Sequence, residues 1–170
     1  MPPAISAQMQ TALKGLRAKL KDAEKAVTSS DAKILGAQVV TEMTKMISKG
    51  ISPVGGKRYE AYKRAGDKRG YPANARSEFP DKRNRPVNLR LSGEFLQDLT
   101  HKVDRNGRGY APRIGYFEEE SKLKEQGHAE GVGGQPKRPT IPESFDGWAV
   151  SIQRIILRFY KNLYDKHFKP

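Results

Sequence analysis

Cysteine is absent from all 170 residues, which removes disulfides, thiol nucleophiles and cysteine-bound metals together. Histidine is scarce. His101, His128 and His167 stand far apart, and none has a partner at the four-residue spacing of helical metal sites. No apolar run approaches the ~20 residues that span a bilayer. The opening MPPAISAQMQ has neither the basic start nor the apolar stretch of a signal peptide. These absences predict cytoplasmic synthesis and no membrane partner.

Recognisable catalytic motifs are missing as well. No Gly-x-Ser-x-Gly elbow occurs. Gly50, Gly55 and Gly56 precede Lys57, but the lysine falls one place late for a phosphate-binding loop. Arg58 also stands where Ser or Thr would reach magnesium. The expectation is a protein with no cofactor and no metal that is not an enzyme.

Acidic residues are the other shortage. Nineteen Asp and Glu face 32 Lys and Arg, a net charge of +13 that draws the chain to polyanions. The excess is concentrated. From Lys57 to Arg90 there are eleven Lys or Arg against four Asp or Glu, with Tyr59, Tyr62, Tyr71 and Phe79 interleaved. Cations near phosphates release counterions, and planar side chains stack on unpaired bases. The candidate contacts to nucleic acid or to an acidic protein are Lys57, Arg58, Lys63, Arg64 and Lys68, followed by Arg69, Arg76, Lys82, Arg83 and Arg85. The same charges would also keep a plain loop soluble, and the three readings stay open.

The length suits a single domain, 1–170. Ile5, Met9, Leu13, Leu16, Leu20 and Val27 fall on one stripe and predict a helix over 4–27, with 1–30 as a projecting arm. Thr28-Ser-Ser-Asp31 offers N-caps for a second helix over 32–49, whose apolar side is Ile34, Leu35, Val39, Met43, Met46 and Ile47. Gly50 stops it. Segment 51–88 is broken by Pro53, Gly55, Gly56, Gly66, Gly70, Pro72, Pro80 and Pro86 and reads as a long loop.

A short helix is expected over 88–103, carrying Leu96 and Leu99, although 101–104 also fits the first strand of a hairpin. Tyr110 to Phe117 is the best strand, Pro112 favouring an edge. Residues 118–143 open on Glu118, Glu119 and Glu120, pass His128 and end in Pro136, Pro139 and Pro142, which reads as a second long loop. The last helix, 146–166, carries Trp148, Ile152, Ile155, Ile156, Phe159 and Leu163. The predicted fold class is α+β: two N-terminal helices and a small antiparallel sheet with long loops, packed on a long C-terminal amphipathic helix.

Five segments occur in a telling order. They are Ser52-Pro-Val-Gly-Gly-Lys-Arg-Tyr59, Leu89-Arg-Leu-Ser-Gly-Glu-Phe-Leu96, Tyr110 to Tyr116, Gln126-Gly-His-Ala129 and Arg138-Pro-Thr-Ile-Pro142. The series resembles the phage tail completion and virion morphogenesis proteins, the group with the Mu G-like and lambda Z-like neck proteins. The resemblance implies a structural virion protein of a tailed phage that joins head to tail. It implies a homo-oligomeric ring, often a hexamer, between the head connector and the tail tube or tail terminator, with phage DNA passing through the lumen.

On that reading the two long loops reach neighbouring copies, the basic segment faces the lumen or the connector, and Glu118, Glu119, Glu120 and His128 belong to a subunit interface. Two alternatives compete with it. One is a basic nucleic-acid-binding protein without a virion role; the other is a hydrolase or nuclease using His128 and nearby carboxylates.

Overall fold

The computed structural model describes residues 27–61, 87, 89, 94–107, 109–132 and 135–168, with side chains to 166. The expected helix 4–27 lies outside the described residues apart from its last position, as do most of the basic segment and Ser92. Among the described residues the protein is α+β, with four α-helices and a two-stranded antiparallel sheet.

The first helix, α1, spans Ser29–Ser48. Thr28 caps it: its hydroxyl accepts from the Asp31 amide at 3.1 Å, and Asp31 Oδ2 accepts from the Thr28 amide at 3.0 Å. This reciprocal pair satisfies two amides that have no helical partner. Ala32, Leu35, Gly36, Val39, Met43, Met46 and Ile47 are buried along one side, at the three- and four-residue steps of a core-facing stripe. Ile34 is a correction. It projects about 160° away from that stripe at ~100° per residue, and it is exposed; Ala32 and Gly36 take the inward places instead.

A four-residue helix, α2 (Glu94–Gln97), leads into β1 (Leu99–Asn106), which pairs with β2 (Gly109–Tyr116). The expected helix over 88–103 therefore gives way to a strand from Leu99 onward. Leu99, His101 and Val103 alternate as well as they fit a helix, and such short runs are ambiguous by periodicity alone. Cross-strand pairing decides it. Leu99 faces Tyr116, His101 faces Ile114 and Val103 faces Pro112, and these partners lie on the α1 side. The opposite face is polar: Arg113 pairs with Asp104 at 2.9 Å, and Lys102 stands 4.5 Å over the ring of Phe117.

Residues 118–143 are not one loop. Glu119–Glu130 forms helix α3, which ends at Gly131 in the left-handed conformation, φ 74°. It carries one leucine and no apolar stripe, so hydrophobic periodicity gives no sign of it. Glutamates in its first turn complement the helix dipole, and Lys122–Glu119 and Lys124–Glu120 pairs brace its surface. A short 3₁₀ turn (Phe145–Gly147) precedes the last helix, α4, Val150–Phe168. Trp148 thus sits just before the helix rather than on its stripe. Ser144 forms no side-chain cap bond.

The expected packing of the sheet on the C-terminal helix is also corrected. The hairpin lies chiefly on α1, and α4 lies on α1 as well, so α1 is the shared centre. Of the residues expected in the core, Leu99, Ile152 and Leu163 are buried, and Leu96, Trp148, Ile155, Ile156 and Phe159 are half-buried against them. Among the described residues no helix is long and apolar enough to cross a membrane.

Candidate functional site

The turn after α1 is built by glycine. Ser52 donates its amide to the Lys57 carbonyl at 2.8 Å, and Tyr59 to that of Gly50 at 2.8 Å. Gly55 and Gly56 close the turn at φ 68° and 71°, a region that costs other residues strain. The turn then docks on the chain entering α4: Gly55 N–H donates to Gly147 O at 2.9 Å and Ala149 N–H to Pro53 O at 2.7 Å. Lys57 and Arg58 are left exposed at its edge. Lys63, Arg64, Lys68, Arg69, Arg76, Lys82, Arg83 and Arg85 lie outside the described residues.

Behind the turn, distant segments meet. The Ser52 hydroxyl donates to the Pro139 carbonyl at 3.0 Å. Arg138, 1 % exposed, donates from Nε and Nη2 to the Glu60 carbonyl at 3.2 and 3.0 Å. Its own amide donates to His128 O at 2.6 Å. Glu125 Oε1, on α3, accepts from the amides of Thr140 and Ile141 at 2.9 and 3.3 Å. Phe95 stacks on Tyr116 with ring centroids 4.4 Å apart, and His128 tilts against Phe95 at 5.4 Å. Ser121 donates to Asp98 and ties α3 to the start of β1.

The electrostatics of this cluster follow from burial. Burial pushes the Glu125 carboxyl up, against hydrogen bonds from Thr140 and Ile141 that lower it. It raises the phenols of Tyr59 and Tyr116 far above their usual value, so both stay protonated. The Ser52 hydroxyl lies beside Tyr59 yet donates to Pro139, and the Thr140 hydroxyl lies beside Tyr116 and Glu125 without hydrogen-bond geometry to either. The hydroxyls of Tyr59, Tyr116 and Thr140 and Glu125 Oε2 are buried without a protein partner. Such a cluster clamps loops; a phenol held protonated is a poor base, and Glu125 already spends one oxygen on the backbone.

The expected interface residues separate. Glu118, Glu119 and Glu120 are exposed at the start of α3, whereas His128 is half-buried near its end against Phe95. Glu119 and Glu120 pair with Lys122 and Lys124 at 3.5 and 2.6 Å. Among the described residues no three His, Asp or Glu side chains are grouped to hold a metal ion.

Sequence reading passed over Glu125, Tyr116 and Thr140 as site members. Thr140 and Arg138 sit in the Arg-Pro-Thr-Ile-Pro segment, and a lone arginine between prolines was the available signal. No family model, no curated protein and no solved structure matches the chain.

Proposed function

We propose that the chain is a structural subunit of a tailed phage, a tail completion or head–tail joining protein that forms a ring in the neck between connector and tail tube, and that it carries no reaction centre. The observation that supports this is the use made of the five segments. Tyr59, Phe95, Tyr116, His128, Arg138 and Thr140 meet in one interior cluster whose hydrogen bonds fasten loop to loop. Residues that build only a frame leave the surface as the working part.

That surface suits assembly. Lys57 and Arg58 are exposed on a rigid turn, and in the proposal they open the basic segment that faces either lumen DNA or an acidic connector. Phosphate contacts of this kind position without reading sequence. The helix expected over 4–27 serves as an arm to a neighbouring ring.

The net charge of +13 favours one competing reading, a nucleic-acid-binding protein that acts alone. Negative-stain microscopy and mass photometry of the purified chain with connector rings and with duplex DNA separate the two. Rings docked on the connector are expected. Tight, salt-sensitive DNA binding with no association to any head or tail component would overturn the neck assignment in favour of the alternative.

A further inference from the structure

Helix α4 carries two apolar stripes, and only one is covered. Ile152, Ile155, Ile156, Phe159 and Leu163 turn toward α1. Val150, Leu157, Tyr160 and Tyr164 follow one another at steps of seven, three and four residues and form a second line, all of them exposed, Leu157 by 57 %. At ~1.5 Å per residue this line is about 20 Å long. Along its edge run Arg154, Arg158 and Lys161, all exposed. Lys161 pairs with Asp165 at 2.6 Å, and the two arginines form no ion pair within the described residues.

Helix α3 presents the reverse. Leu123 is 61 % exposed on a surface helix. Its neighbours one turn back are Glu119 and Glu120, and Glu130 lies two turns ahead on the same line. Their present partners are weak: the Lys122–Glu119 and Lys124–Glu120 pairs are solvent-exposed, a class worth about 0.3–0.5 kcal/mol each. The helices are also held apart. α3 leans on β2 while α4 packs on α1, so one molecule offers both patches without joining them.

We infer that the α4 stripe of one copy receives the α3 ridge of the next, with Leu123 seated among Leu157, Tyr160 and Tyr164 and with Glu119 and Glu120 against Arg154 and Arg158. The occupant is a second copy because a patch of matching charge and shape is present on the chain itself. Two different patches meeting make a heterologous contact, the kind that propagates and closes into a ring. Arginine suits the edge, since its planar fork takes a carboxylate bidentately. The contact rests on the assembly reading above and supplies its subunit-to-subunit joint.

A chain without cysteine permits a clean test. Full-length Leu123→Cys and Leu157→Cys chains carrying tags of different size are mixed and oxidised. The 123–157 heterodisulfide is expected in clear excess over the statistical mixture, and a chain with both substitutions is expected to give a ladder of multimers. Arg154→Glu with Arg158→Glu in the Leu157→Cys chain should cut the heterodisulfide at least about tenfold, the equivalent of ~1.4 kcal/mol of like-charge repulsion. Glu119→Arg with Glu120→Arg in the partner chain should restore it.

Circular dichroism confirms that each variant is folded. Homodisulfides equal to the heterodisulfide, or a yield no higher than that of a cysteine at the hairpin tip in place of Asn106, would overturn the contact. A heterodisulfide in a chain that never enters a phage particle would uphold it and sink the neck assignment. Incorporation into particles without the heterodisulfide would do the opposite.

Discussion

The imidazole of His101, on β1, lies so close over Gly36 of α1 that a methyl group at Gly36 would run into its ring carbons. The ring stands between the hairpin and the central helix, and the missing side chain at position 36 is what lets the two layers approach. Close packing of this kind leaves no slack.

Gly36→Ala is therefore expected to destabilise the protein although alanine is the better helix former. Overpacking costs about 1–3 kcal/mol, against about 1 kcal/mol gained from helix propensity. In a His101→Ala background the same substitution should become neutral or stabilising. Urea midpoints of the four chains of this cycle measure the coupling directly.

Glu125 predicts a pH dependence. Burial holds its folded-state pKa above the ordinary carboxylate range, so between the two values the folded chain keeps a proton that the unfolded chain has released. Stability from this group is full below the ordinary range and falls as pH rises through the raised folded value. Glu125→Gln keeps an acceptor for the amides of Thr140 and Ile141 and removes the ionisation. It is expected to abolish that decline and to match or exceed the parent at neutral pH, as read from denaturation midpoints across pH. Glu125→Ala strands both amides and should cost about 2–4 kcal/mol at any pH.

Arg138 joins the segment before α4 to the turn after α1, and its guanidinium is enclosed. Arg138→Ala should lose about 2–4 kcal/mol, from charged hydrogen bonds and from the cavity left behind. Arg138→Lys retains the charge but cannot present two donors in a fixed fork, and an intermediate loss is expected. Thermal unfolding of the three chains checks the order.

The basic segment is tested by salt. Replacing Lys63, Arg64, Lys68 and Arg69 with alanine should flatten the log–log salt dependence of duplex DNA binding by about 3–4, if all four neutralise phosphates. Circular dichroism should not change. An unaltered slope together with lost connector binding would assign the segment to a protein partner.

The sequence made α1, the Gly109–Tyr116 strand and α4 legible because each has a strong local signature: a stripe, an aromatic-rich run beside a glycine turn, a second stripe. Leu99–Asn106 was legible only as an alternative, since its alternation coincides with a helical step and its partner strand settles the matter. Helix α3 was hidden because its order comes from ion pairs, the dipole and a glycine stop rather than from apolar residues. The interior cluster was hidden for another reason. Glu125 and Thr140 are brought together by a turn at Gly131, and Arg138 reaches Glu60 across 78 positions, and no local pattern encodes such a meeting.

Helix α1 also orders events during synthesis. Its hairpin cover is made about fifty residues later, and Ser151 of α4, which touches Met46, lies 105 positions downstream. A ribosome adding ~5–20 residues per second leaves the apolar side of α1 bare for several seconds. Chaperones and neighbouring nascent chains meet that bare side first. Slow codons or a pause between the hairpin and α4 should lower the soluble yield, whereas a pause after residue 168 should leave it unchanged.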